Sequence, residues 1–123
     1  MTEVFDQLGE AGITALIAAF YRRVRVDDLI GPMYPADDWE GSEARLRDFL
    51  IYRCGGPTRY IEERGHPRLR MRHFPFSIGE AERDRWLALM AAAMDETSVP
   101  EPSREILAGF FAQTADFMRN REG

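Results

Sequence analysis

The chain has 123 residues, 45% of them hydrophobic and 30% charged, with a net charge of -5 and a single cysteine. That balance describes one soluble domain (1–123) with a real but modest core, and excludes a disordered tail or a nonspecific nucleic-acid binder, which needs a basic footprint. A lone Cys54 excludes an internal disulfide and any cysteine-rich metal site.

The opening MTEVFDQLGE is acidic and lacks a basic region followed by an apolar one, so no signal peptide is expected. Ile13, Leu16, Ile17, Phe20, Tyr21 and Val24 then follow the i, i+3, i+4, i+7 spacing of an amphipathic helix. Its apolar stretch ALIAAFY is far too short to cross a bilayer. LIGPMYP breaks the helix, because Gly31, Pro32 and Pro35 sit poorly inside one. Asp37 or Asp38 is placed to cap a second helix with Trp39, Ser42, Leu46, Phe49 and Leu50 on its core face, ended by Cys54-Gly55-Gly56-Pro57. From Pro57 to Ile78 the pattern is irregular, and a connection of that length is often functional. Ser77 with Glu80 has the form of a capping box for a third helix through Trp86, Leu87, Leu89, Met90, Ala93 and Met94. Ser98 and Glu101 repeat that signal before a last helix carrying Ile106, Leu107, Phe110, Phe111, Phe117 and Met118. No stretch alternates like a strand, so the expected class is all-α with about four helices.

Several chemistries drop out. There is no G-x-G-x-x-G, no G-x-x-x-x-G-K-[ST] and no G-x-S-x-G elbow. Asp37-Asp38 reads as a helix start more readily than as a catalytic dyad. Both histidines, His66 and His73, lie in GHPRLRMRHFPF among several arginines. Seven residues apart is about 10 Å even on a continuous helix, Pro67 interrupts the path, and no cysteine cluster completes a zinc site.

An iron porphyrin would use what remains. One proximal histidine can hold the iron, apolar side chains can wall the macrocycle, and arginines can pair with its propionates. Nearby positive charge also favours the neutral imidazole that binds metal. His73 is the better candidate, because Phe74-Pro75-Phe76 follows it, whereas His66 precedes a proline in a glycine turn. The bland alternative is that the histidine is an ordinary core or surface residue and the aromatics are plain core.

The run GGPTRYIEERGHPRLRMRHFPFSIGEAERDRWLALM (55–90), together with FYRRV (20–24) and MYPADD (33–38), closely resembles the group II truncated haemoglobins of bacteria. The resemblance extends over nearly the whole chain. It implies a truncated 2-over-2 globin fold around haem b (iron protoporphyrin IX), with His73 as proximal ligand to the iron. It places Tyr21, Tyr34 and Trp86 on the distal side, where O–H and N–H groups would hold bound oxygen and slow its release. Arg45 and Arg72 would meet propionates, while Leu46, Phe49, Tyr60, Leu69, Met71, Ile78 and Trp86 would contact the ring. His66 would be structural or bond at the haem edge.

Two positions depart from the group's pattern. Ser42 stands where a small apolar residue is usual, and its hydroxyl could bond ligand or water or cap the local backbone. Cys54 stands where many members carry a large aromatic. The implied function is reversible binding of oxygen and other diatomic ligands in the cytoplasm, with redox activity toward peroxide or nitric oxide. A peroxidase or nitric oxide dioxygenase would need a separate reductase, since no flavin or nicotinamide motif is present. A haem-free helical interaction module is the remaining rival. The oligomeric state is left open, a homodimer included, and neither nucleic acid nor membrane is expected as partner.

Overall fold

The computed structural model describes residues 1–58 and 78–119. Among them stand four α-helices, α1 (Thr2–Val24), α2 (Trp39–Arg53), α3 (Glu80–Glu96) and α4 (Ser103–Phe117), with a 3-10 turn at Gly31–Met33 and no strand. α1 packs against the other three, and α3 also packs on α4. The expected stripe of α1 is the centre of the core: Ile13, Leu16, Ile17, Phe20 and Val24 are fully buried. Each such side chain stabilises the fold by about 1.5–3 kcal/mol relative to exposure. Among the described residues no helix is long and apolar enough to cross a membrane.

The chain kinks at Gly9 (φ 67°), so residues before it form a separate helical arm that the sequence pattern did not reveal. Val4 of this arm is fully buried. Gln7 fastens it to the start of α4, donating from Nε2 to the Glu101 carbonyl (2.9 Å) and accepting at Oε1 from the Ser103 backbone N–H (3.2 Å).

Helix ends differ from expectation in detail. Asp38 stands at the cap position of α2, but its carboxylate makes no capping bond and instead accepts from Arg45 Nη2 (3.1 Å). α2 stops as expected: Gly55 takes φ 88°, and the Gly56 and Gly55 N–H groups bond back to the Ile51 (2.9 Å) and Tyr52 (3.0 Å) carbonyls. This is a Schellman motif, whose left-handed residue favours glycine. The start of α3 is fixed by Glu82, whose Oε1 accepts the Gly79 N–H at 2.7 Å. Ser77, the expected cap, lies outside the described residues.

The Ser98–Glu101 expectation is corrected. Ser98 adopts φ 54° just past the end of α3, and the Val99 N–H bonds back to the Met94 carbonyl (3.1 Å), so this segment is the stop of α3. α4 begins only at Ser103. Phe117 lies on the last helix as expected, but it is 60% exposed at the final residue of that helix. The packed stripe is Leu107, Phe111 and Met118 at i, i+4, i+11, and Phe117 falls to its side.

Candidate functional site

A cavity of about 280 Å³ opens between the helices. Tyr21 reaches it from the end of α1, Met33 and Tyr34 from the 3-10 turn, and Ser42, Arg45, Leu46 and Phe49 from one face of α2. Ile78, just before α3, and Trp86 of α3 close it on one side, with Phe110 and Phe111 of α4 and Met118 at the end of that helix. The i, i+3, i+4, i+7 spacing of Ser42, Arg45, Leu46 and Phe49 is why one helix face supplies all four. Tyr21, Tyr34, Ser42, Arg45, Leu46, Phe49, Ile78 and Trp86, singled out from the sequence, thus meet at one cavity. Tyr60, Leu69, Met71, Arg72, His73 and His66 lie outside the described residues.

Tyr21, Tyr34 and Trp86 form one group of donors in the wall, and Ser42, Arg45, Glu82, Arg83 and Thr114 are further polar lining. Tyr21 is edge-on to Tyr34 (ring centroids 5.7 Å apart), and Phe20, behind Tyr21, lies 4.9 Å from Trp86. Burial pushes the Tyr34 phenol up to about 12, although the Trp86 indole and the Tyr21 hydroxyl, as hydrogen-bonding partners of its oxygen, pull the other way. Tyr21 is raised further still, by burial first and then by the charge and hydrogen bond of Tyr34, with Arg45 opposing. Both phenols are therefore neutral O–H donors at physiological pH. On the α2 side, Arg45 Nη2 is shared between Asp38 Oδ2 (3.1 Å) and Ser42 Oγ (3.2 Å). The Ser42 hydroxyl, on a buried residue, thus binds a side chain at the cavity rim rather than the local backbone.

Sequence reasoning missed Met33, Glu82, Arg83 and Thr114 as lining, and gave Phe110, Phe111 and Met118 no role beyond the last helix. Met33 sits in a segment read as a helix breaker, with no periodicity to give it a direction. Glu82 is a buried carboxylate in an apolar wall, tolerable because it accepts a backbone N–H at a helix N-terminus. Its period-matched signal was present but was assigned to Ser77 and Glu80. Among the described residues no cluster of histidine, cysteine and carboxylates could hold a bare metal ion.

An all-α chain that brings its helices around one largely apolar cavity, with phenol and indole donors grouped in its wall, has the architecture of a small haem pocket. The sequence matches the bacterial-like globin family over residues 3–120, and the chain belongs to that family, as one of its group II truncated haemoglobins. It is 38% identical over 117 residues to the group 2 truncated hemoglobin YjbI of Bacillus subtilis (strain 168), covering 95% of this chain and 88% of that one. Its fold is similar to the crystal structure of hemoglobin from the thermophilic phototrophic bacterium Chloroflexus aurantiacus, with a TM-score of 0.91, 45% identity and coverage of 96% and 98%. It is similar as well to an X-ray structure of truncated oxygen-avid haemoglobin from Bacillus subtilis, with a TM-score of 0.90, 38% identity and coverage of 95% and 98%. The chain is accordingly a haem-binding globin. Its described residues suit that group: Leu46, Phe49, Ile78, Phe111 and Met118 offer apolar contact, and Arg45 stands at the rim with donors to spare for a carboxylate.

Proposed function

We propose that this chain binds haem b with His73 as the iron ligand, and holds oxygen and other diatomic ligands reversibly against Tyr21, Tyr34 and Trp86. The observation that carries this reading is the grouping of Tyr21, Tyr34 and Trp86 in the wall of a largely apolar cavity. When bound, the haem supplies the iron at which a diatomic ligand is taken up. The protein's own part is electrostatic. Neutral O–H and N–H donors held in a poorly solvated pocket stabilise a ligand that gains negative charge on binding, without having to reorganise. Each such bond made to the ligand itself contributes about 1–2 kcal/mol, which slows release roughly 5–30-fold. The oxygen-avid B. subtilis relative supports that expectation. Slow release suits holding oxygen for redox chemistry or sensing it better than carrying it.

Arg45 and Arg72 are assigned to the propionates, with Arg45 exchanging Asp38 or Ser42 for the new carboxylate. Tyr60, Leu69, Met71, Leu46, Phe49 and Ile78 are assigned to the ring. The domain works as one unit of residues 1–123 in the cytoplasm, and homodimerisation is compatible with it. A second reading is favoured by the oxidisable rings around the cavity: turnover of peroxide or nitric oxide, with electrons drawn from a separate reductase.

The test is the absorption spectrum of the protein with added haemin, beside His73→Ala. A sharp Soret band forming one-to-one, and shifting on addition of carbon monoxide to the reduced protein, is expected for the wild type. The variant should give a weak or altered band. Identical free-haemin spectra for both would overturn the assignment.

A further inference from the structure

Trp39 was expected in the core of α2, but it is only partly buried and stands outside the cavity. It stacks on Tyr34, with ring centroids 5.5 Å apart and planes 25° apart. Tyr34 lines the cavity and meets Tyr21, and Trp39 itself lies 6.5 Å from Tyr21. The Arg25 guanidinium covers the Trp39 ring at 5.5 Å. Tyrosine and tryptophan are the two aromatic side chains that readily give up an electron, so the stack joins the cavity to solvent through oxidisable rings in contact. Trp39 packs against the edge of the core and is only partly buried.

We propose that Trp39 is a surface electron-entry site, through which phenolic donors too large to enter the cavity reduce oxidising equivalents generated inside it by hydrogen peroxide. The inference rests on the haem reading above and deepens its second arm. The balance is complete. Hydrogen peroxide takes up two electrons and two protons and becomes two waters as its O–O bond breaks. Each electron leaves the Trp39 indole by way of Tyr34, and the indole Nε1 proton passes to water. A phenol at the surface then returns one hydrogen atom to the indole and departs as a phenoxyl radical, so two phenols are consumed per peroxide. Arg25 gives this step its character. A cation over the ring disfavours a second positive charge on it, so the oxidised indole loses its proton promptly and the resting indole stays reduced.

The experiment uses the haemin-reconstituted protein and three forms: wild type, Trp39→Phe, which keeps a stacking ring, and Trp39→Tyr, which keeps an oxidisable one. Stoichiometric peroxide is added with a nitroso spin trap and no donor, and the adducted residue is mapped by peptide mass spectrometry. An adduct on Trp39 is expected in the wild type. In steady state, oxidation of a dextran-linked phenol should fall by about an order of magnitude in Trp39→Phe and recover in part in Trp39→Tyr, while oxidation of free phenol stays near wild type. Normal haem spectra with adducts confined to Tyr21 or Tyr34, or with equal losses for both phenols, would overturn the proposal and leave the haem reading standing. Absence of haem binding would overturn both.

Discussion

Tyr34 stands where three aromatic rings meet: it is stacked on Trp39, edge-on to Tyr21, and its oxygen is the common hydrogen-bonding partner of the Tyr21 hydroxyl and the Trp86 indole. With its lone pairs engaged, its own proton is polarised and left to a ligand in the cavity. Tyr34→Phe should therefore speed oxygen release by roughly 5–30-fold, the loss of about 1–2 kcal/mol, measured by stopped-flow displacement with carbon monoxide. Tyr21→Phe removes one of the groups that polarises Tyr34, so its effect should be smaller, and the double variant should be less than additive. The same environment sets a pH dependence. Burial raises the folded-state value of Tyr34 to about 12, above the ordinary 10.0, so folding favours its protonated form. The stabilisation is fully present below about pH 10 and is lost as pH rises toward 12, because the unfolded chain ionises first. Urea unfolding followed from pH 8 to 11 should show stability falling above pH 10, and the fall should be shallower in Tyr34→Phe.

Among the elements, the turn between α1 and α2 is held by one carboxylate. Asp27 Oδ2 accepts the Leu29 (3.0 Å) and Ile30 (2.9 Å) N–H groups, while Oδ1 accepts from Arg85 of α3 at 2.7 Å. Burial raises its pKa, but the Ile30 N–H, Arg85 and the Leu29 N–H outweigh burial and leave it below the usual 3.8. Its stabilisation is therefore whole above about pH 4 and is lost as pH falls through the depressed folded value. Asp27→Ala, which unpairs two backbone donors beside Met33 and Tyr34, should cost about 1.5–3 kcal/mol in urea unfolding at pH 7, and the gap to wild type should narrow on acidification. Two left-handed residues give opposite predictions. Gly55→Ala, at φ 88°, should lose about 1–2 kcal/mol, whereas Ser98→Gly, at φ 54°, should gain roughly half that once the extra freedom of unfolded glycine is counted.

These ends also mark how far the elements could be read from the chain. The helix faces were legible because burial imposes a period: Ile13, Leu16, Ile17, Phe20 and Val24 share a stripe in sequence and in space. Cap signals are short and ambiguous by comparison. Ser98 with Glu101 matches a starting motif, yet Ser98 takes a left-handed conformation that ends α3, because Val99 and Met94 are drawn together by burial on both sides of it. Of the site, the faces of α1 and α2 were largely found, whereas Phe110, Phe111 and Thr114 of α4 were not assigned to it. Met33 and Glu82 were missed on a turn and at a helix start, where tertiary contacts rather than a period decide which way a side chain faces.

For the molecule as a whole, the cavity draws its walls from all four described helices and the 3-10 turn, so haem and fold are coupled. A ligand that binds only the folded state adds RT ln(1 + [L]/Kd), about 2.7 kcal/mol when free haemin stands at 100 times its Kd. At the roughly 3–6 °C per kcal/mol typical of a domain of this size, the melting temperature should rise by about 8–16 °C. Because α1 packs on α2, α3 and α4 alike, that rise should occur within one cooperative transition, with tryptophan fluorescence and far-ultraviolet circular dichroism melting together. His73→Ala separates the two contributions to the gain. The apo variant should melt close to the apo wild type if His73 acts through the iron, while the increment on adding haemin should shrink to what the apolar walls and Arg45 supply. An equal loss in both forms would instead place His73 in the fold rather than on the metal.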